Sequence, residues 1–462
     1  SFLATLFQGF SLHLQITDAE RSCSYLDVII RNFSGDSFLV IHSSSLLKLG
    51  RTCKALYAFT RSEDLWKTLF IRSPPATFSW LGTWRSTYLN LSPSQVCHLD
   101  CSCLFSDTLH RPFYCAHIAL DSFVSDVPAR NQITRFPTLS AEEFQQRWAD
   151  RPFILTEPVK EWPVYPQWSM ETLLSTYGDT IFRAEAVDWP LKTYVDYMKN
   201  NSDESPLYLF DRSFVSKMGI TRPNAEFWRP PCFGDDLFAQ LGPDRPDSQW
   251  LIIGPERSGS TFHKDPNATS AWNAVLRGSK YWIMFPSSSN SPPPPGVYVS
   301  ADQSEVTSPL SIAEWFLGFH AEARRAPGCI EGICKRGEIL HVPSGWWHLV
   351  VNLKPTIAIT QNFIPRPHLT AALDFLQNKA DQVSGFREDV VDPYARFVER
   401  LRDTYPKLLE KAIKELERQK KGTKRKWDEL IHGRIEADHE IFEDGACFSF
   451  GFADDGSDIE VT

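Results

Sequence analysis

An imidazole and a carboxylate stand two residues apart in His263-Lys264-Asp265, and a second imidazole, His348, follows 83 residues after Asp265 in Gly345-Trp346-Trp347-His348. Two imidazoles and one carboxylate are the donor set that occupies one face of an octahedral Fe(II) and leaves the remaining positions open. This requirement restricts the fold. Residues two apart share a face on an extended strand, and His348 must return to them from far along the chain. His263 and Asp265 lie between two apolar runs, Trp250 to Ile253 and Tyr281 to Phe285, so strand geometry is expected there. Gly337 to Val342 reads as a short strand closed by Pro343-Ser344-Gly345, and Trp346 to Leu353 starts another with His348 near its beginning. A jelly roll brings such hairpin corners together. A second His-x-Asp, His98-Leu99-Asp100, lies in a Cys-, Ser- and Asp-rich stretch that reads as loop, with its imidazole in solvent.

Two further groups suit a dicarboxylate cosubstrate such as 2-oxoglutarate. Lys280, 15 residues after Asp265, offers a compact ammonium for a remote carboxylate. Thr360 alternates with the apolar positions of Thr356 to Phe363, which puts its hydroxyl and the Asn362 amide on the side opposite Ile357 and Ile359.

The stretches Gly259 to Pro266, Thr269 to Ala274, Gly345 to His348 and Thr356 to Phe363 together resemble the JmjC-domain 2-oxoglutarate oxygenases. Ser205 to Asp211 and Asp235-Asp236-Leu237-Phe238 resemble one branch of them, the bifunctional arginine demethylases and lysyl hydroxylases once called phosphatidylserine receptors. The likeness runs from about Phe136 to about Pro365. It implies a mainly β catalytic core, a double-stranded β-helix of the jelly-roll or cupin type. It implies Fe(II) at His263, Asp265 and His348, with 2-oxoglutarate contacts from Lys280, Thr360, Tyr208, Asn273 and Ser260. In such enzymes 2-oxoglutarate and dioxygen are consumed, succinate leaves, and a substrate C–H becomes C–OH. On a lysine side-chain carbon the product is a stable alcohol; on an N-methyl group it is a carbinolamine that loses formaldehyde. No required ligand type is replaced. The implied partners are protein or peptide substrates such as histone tails or splicing factors.

Composition is compatible with this. The 462 residues are 42% hydrophobic and can bury a substantial core in two or three domains. Lys plus Arg number 48 against 57 for Asp plus Glu, a net charge of −9, so no global basic field points to nucleic acid as the main partner, which weighs against a third reading as a tRNA-base hydroxylase. No apolar run of 18 or more residues is present to span a membrane. Ser1 to Phe7 lacks the charged region and cleavage site of a secretory leader. The ten scattered cysteines suggest a reducing compartment. A nuclear location, with the cytoplasm as a second site, is expected from the basic run Lys420 to Lys426.

Shifts in composition suggest five segments. Residues 1–92 form a helical region: Leu46 to Tyr57 has helical apolar spacing, and Ser62 stands as a cap before Glu63-Asp64-Leu65-Trp66. Cys53-Lys54-Ala55-Leu56 with Asp64 to Leu69 looks like the second half of an F-box, and Trp84 to Tyr88 resembles the segment after the F-box in F-box–JmjC proteins, although the usual Leu-Pro opening is missing. That resemblance implies a Skp1-type adaptor and a different function class, a ubiquitin-ligase substrate receptor using the β-roll for recognition. Residues 93–135 read as a connector. Its Cys97, Cys101, Cys103 and Cys115 are spaced too irregularly for paired zinc knuckles and read as free thiols. The catalytic domain spans 136–365 and contains a proline loop, Ser287 to Gly296. Residues 366–430 form C-terminal helices, with apolar stripes at Leu369, Ala372, Leu373 and Leu376 and again at Phe397 and Leu401, and 431–462 an acidic tail.

Overall fold

The computed structural model describes residues 42–287, 291–300, 304–309 and 311–420. The chain divides into two units, 1–404 and 405–462. Of the second, the described part is helical over 406–420. Residues 421–426 of the basic run, the acidic tail and the first 41 residues lie outside the described residues. No described helix is long and apolar enough to cross a membrane.

The core is a mostly antiparallel sheet wound into a roll. Its strands are β1 (Thr134–Phe136), β2 (Phe153–Leu155), β3 (Ile181–Ala184), β4 (Val187–Pro190), β5 (Leu209–Asp211), β6 (Gln249–Gly254), β7 (Gly259–His263) and β8 (Ser270–Phe285). A separate ribbon, β9 (Tyr298–Val299) with β10 (Val306–Thr307), precedes β11 (Ile330–Lys335), β12 (Ile339–Val342) and β13 (Trp347–Phe363). The spatial order is β1-β2-β12-β8-β13-β6-β5-β3-β4, with β11 also on β8 and β7 also on β13. Only β1 and β2 pair in parallel within it.

The two long strands, β8 and β13, run side by side through the whole roll, and their pairing slips between Asn352 and Ala358. Opposite the slip stands Gly278, at φ +80°, where a Cβ would run into the Pro355 carbonyl oxygen. The irregularity changes which face each parity serves. Before Gly278, Ala271 and Val275 face the interior of the roll while Trp272, Ala274 and Leu276 face outward. Beyond it, Trp282 and Met284 face inward and Tyr281, Ile283 and Phe285 outward. Asn273 and Lys280, seven residues apart and so on opposite faces of a regular strand, thereby share the inner face.

The two outer faces are covered by different parts of the chain. One cluster joins Trp272, Ala274, Ile357 and Ile359 of the sheet with Phe182, Trp189 and Tyr197, and with Trp66, Phe70 and Trp84 of the N-terminal helices and Trp80 of the segment between them. These helices therefore share a core with the sheet. The other joins Tyr281, Ile283 and Leu349 with Trp315 and Phe316 of the helix Ile312–Gly318 and with Leu120 and Val124 of the supposed connector, which contains the helices Asp107–Ala116 and Asp121–Val124.

Several local expectations need correction. The helical run from Leu46 to Tyr57 is two helices, Ser43–Leu49 and Lys54–Phe59, because the chain turns after Gly50 and extends at Cys53. Ser62 precedes the helix Glu63–Arg72 without a side-chain capping bond. In the C-terminal region the helices Leu369–Asn378 and Pro393–Thr404 bury the stripes expected of them, among them Leu373, Leu376, Phe397 and Leu401. In the proline loop, Pro295 contributes its carbonyl to the Trp315 indole at 2.9 Å.

Candidate active site

Antiparallel pairing of β7 with β13 sets His263 directly opposite His348. Their ring centroids lie 4.2 Å apart. Each imidazole is fixed by its own strand: Nδ1 of His263 donates to the Thr261 carbonyl at 2.7 Å and Nδ1 of His348 to the Trp346 carbonyl at 3.1 Å. A carbonyl only accepts, so the hydrogen sits on Nδ1 and each Nε2 keeps its lone pair for a metal. Burial, and the second imidazole beside it, hold His348 well below the usual histidine range, so it is the neutral ligand form.

Asp265 does not lie in the strand, which ends at His263. Its backbone is nevertheless extended (φ −63°, ψ 143°), so the two-residue alternation persists. Asn267 and Ala268 then take left-handed φ values of 56° and 50° and turn the chain away. Ligand atoms of His263, Asp265 and His348 all lie within 4.8 Å of one another, the one such group of three among the described residues. Asp265 Oδ2 is buried with no hydrogen-bond partner among the described residues. Burial pushes the carboxyl up to about 6, opposed by His263 and by a hydrogen bond from the Asn362 side chain. A buried acceptor without a donor costs free energy that a bound cation recovers, and the imidazole and carboxylate donors suit Fe(II).

Lys280 is completely buried on β8. Its Nζ donates to the Tyr208 hydroxyl at 2.5 Å and to Asn352 Oδ1 at 3.0 Å. The Asn352 amide in turn donates to Ser258 Oγ at 2.9 Å. Among the described residues no carboxylate faces the ammonium, and burial lowers it to about 7. Asn273 and Thr360 are opposite one another across the β8–β13 ladder. The Thr360 hydroxyl is not free: it donates to the Trp272 carbonyl at 2.8 Å, which leaves its lone pairs for a ligand. Asn273 Oδ1 is buried without a partner; turning the amide over would present its donors instead.

Thus the structure brings His263, Asp265 and His348 into one group, Lys280 and Tyr208 into a second, and Asn273 and Thr360 into a third. Ser260 lines a cavity of about 380 Å³ that His263 also borders. The sequence reading overlooked Ser258 and Asn352, which hold Lys280 in place. Asn352 shares the parity of His348 along β13, a signal that was available. Cys97, Cys101, Cys103 and Cys115 are free cysteines, the last buried with its thiol pushed up to about 11, and they form no metal-ligating group among the described residues.

A β-roll with this donor set inside it defines the cupin-like metalloenzyme class, and a cupin-like domain family matches residues 180–368. Over 399 residues the chain is 37% identical to the arginine-specific demethylase JMJ22 of Arabidopsis thaliana, covering 82% of this chain and 77% of the relative. The lysine-specific demethylase JMJ21 of the same plant is 33% identical over 326 residues, 67% of this chain and 34% of the relative. The bifunctional arginine demethylase and lysyl-hydroxylase psr-1 of Caenorhabditis elegans is 34% identical over 255 residues, 51% of this chain and 62% of the relative. The chain belongs to the JmjC-domain family and is a 2-oxoglutarate-dependent oxygenase.

Proposed function

We propose that this oxygenase hydroxylates basic side chains of protein substrates, either lysyl carbons or the N-methyl groups of arginine or lysine, with histone tails and other basic nuclear proteins as the substrate class. His263, Asp265 and His348 would hold Fe(II), and Lys280, Tyr208, Asn273, Thr360 and Ser260 would surround 2-oxoglutarate. The observation that carries this reading is the partnerless Oδ2 of Asp265 beside two imidazoles whose Nε2 atoms are free to coordinate. The names of JMJ22, an arginine-specific demethylase, and psr-1, a bifunctional arginine demethylase and lysyl-hydroxylase, support arginine and lysine side chains as targets.

Bound there, iron and 2-oxoglutarate would supply, with dioxygen as the oxidant and 2-oxoglutarate oxidised to succinate and carbon dioxide, the chemistry that turns a substrate C–H into C–OH. The chain's own residues provide placement. The carbonyls of Thr261 and Trp346 fix both imidazoles, so the ligand face is set before any metal arrives. Lys280 presents a desolvated ammonium whose natural complement is the remote carboxylate of a dicarboxylate. Trp282, Met284 and Val350, packed on the same inner face, exclude water.

The test is succinate formation from 2-oxoglutarate by Fe(II)-loaded protein, together with the mass gain of one oxygen atom or release of formaldehyde. Peptides carrying lysine, N-methyllysine or N-methylarginine are the substrates. Oxidation that requires 2-oxoglutarate and disappears in Asp265→Ala is expected. Metal-replete protein that oxidises none of these peptides would sink the proposed substrate class.

A further inference from the structure

The cavity beside His263 and Ser260 extends to a wall formed by Glu185, Glu204 and Arg257. The charges on that wall are not equivalent. Asp203, just behind it, accepts from the Trp84 indole at 2.9 Å and the Tyr197 hydroxyl at 2.7 Å and lies 3.6 Å from Lys67. Glu204 is paired with Arg111. Arg257 donates to the Asp203 carbonyl at 2.9 Å. Glu185 accepts one hydrogen bond, from the Tyr208 amide to Oε1 at 3.1 Å, and has no ion-pair partner among the described residues.

The backbone of Glu185 is a second, independent sign. Ala184 pairs with Val187, so Glu185 opens a two-residue hairpin turn, and its φ is +49°. Such turns put a positive φ at this position and favour Gly, Asn or Asp there; a longer side chain costs about 1–2 kcal/mol. A strained residue bordering a cavity is a candidate for function. Four of the six non-glycine residues with positive φ among those described, Glu185, Arg257, Asn267 and Ala268, border this cavity or follow the metal-ligand motif. The amide that holds Glu185 belongs to Tyr208, whose hydroxyl meets Lys280.

We infer that Glu185 is a substrate-specificity residue whose carboxylate receives the cationic group of the side chain that enters the cavity toward the metal ligands. The inference rests on the oxygenase reading of the site. Glu185 would select the charge of the incoming side chain, with no part in the chemistry itself.

The test uses the Fe(II)-loaded full chain and an N-methylarginine peptide, with the matching unmethylated arginine and citrulline peptides as competitors. Glu185→Gly removes the carboxylate and relaxes the turn, and that relief offsets the loss of the acceptor for the Tyr208 amide. Its peptide KM is expected to rise about 10-fold, while the KM for 2-oxoglutarate moves less than about 2-fold. In the parent the arginine competitor should bind about 10-fold tighter than citrulline, and Glu185→Gln should abolish that preference. Glu185→Asp should restore part of it. An unchanged peptide KM in Glu185→Gly, or an arginine preference that survives in Glu185→Gln, overturns the inference. So does a 2-oxoglutarate KM that rises in step with the peptide KM, since that would mark Glu185 as a support for Tyr208. Parent protein that makes no succinate under any condition instead overturns the oxygenase reading, and this inference with it.

Discussion

The inner face of the roll and the N-terminal wall behind the cavity treat their buried polar groups in opposite ways. On the inner face, among the described residues, Asp265 Oδ2 and Asn273 Oδ1 are buried without partners, and the Lys280 ammonium faces no carboxylate. Behind the wall, the Asp203 carboxylate is met by Trp84, Tyr197 and Lys67, and Glu204 by Arg111. Under the proposed function, the open groups at the first place would be completed by metal and cosubstrate, while the satisfied groups at the second complete the fold. Substitutions should therefore separate. Those on the inner face remove activity at little cost to folding, and those behind the wall do the reverse.

The largest effect is expected at Asp265. Asp265→Ala removes a proposed metal ligand and should lower 2-oxoglutarate-dependent turnover by about 10³-fold or more, several kcal/mol of catalytic stabilisation. The metal-free variant should be as stable as the parent or up to about 1–3 kcal/mol more stable, because a partnerless buried acceptor has gone. Urea denaturation of both apo proteins decides this; a clear loss of stability would show that Asp265 is structural and would erase the contrast. Trp84→Phe tests the other region. It leaves Asp203, a 5% exposed carboxylate, without its indole donor, and should cost about 2–4 kcal/mol in the same assay. A variant as stable as the parent would mean that Tyr197 and Lys67 alone suffice.

Lys280→Met comes next, with the KM for 2-oxoglutarate expected to rise about 10- to 100-fold through loss of a charge-assisted contact. Its stability signature depends on pH. Burial lowers Lys280 to about 7 in the folded protein, whereas the unfolded chain keeps its lysines near the ordinary value of about 10.4. Between those values the unfolded state binds the extra proton, so the stability of the apo parent rises with pH, by at most about 1.4 kcal/mol per unit, and below about 7 the contribution is constant. The difference in unfolding free energy between parent and Lys280→Met should therefore shift in favour of the parent from pH 7 to pH 9. A difference independent of pH would show that the lysine stays protonated through the contacts from Tyr208 and Asn352.

How much of this was legible from residues alone depended on sequence distance. His263 and Asp265 were readable because two-residue alternation is local, and His348 because Pro343-Ser344-Gly345 marks its corner. The common face of Asn273 and Lys280 was hidden: a spacing of seven predicts opposite faces, and only the slip at Gly278 reconciles them. Asn352 and Ser258 are 94 residues apart and carry no motif. Trp84 and Asp203 are 119 apart. The pattern around Trp66 and Trp84 resembles the second half of an F-box and its sequel, but periodicity reports only that a face is buried, and these faces are buried in the core shared with the sheet. Burial of that kind is fixed by tertiary contacts that no local window contains.

The smallest predicted effect is the most selective test of the division between the two regions. Thr83 caps the helix Trp84–Leu89, its hydroxyl accepting from the Ser86 amide at 3.0 Å. Thr83→Ala should cost about 1 kcal/mol. Because the cap touches neither the carboxylate of Asp203 nor the cavity, KM for 2-oxoglutarate and for peptide should both remain at the parent values in steady-state assays below the melting transition. If either KM moves, small displacements of the N-terminal helices reach the cavity through Trp84, Asp203 and the segment leading to Tyr208. In that case the wall is part of the working site, and the separation of folding groups from functional groups fails on that side.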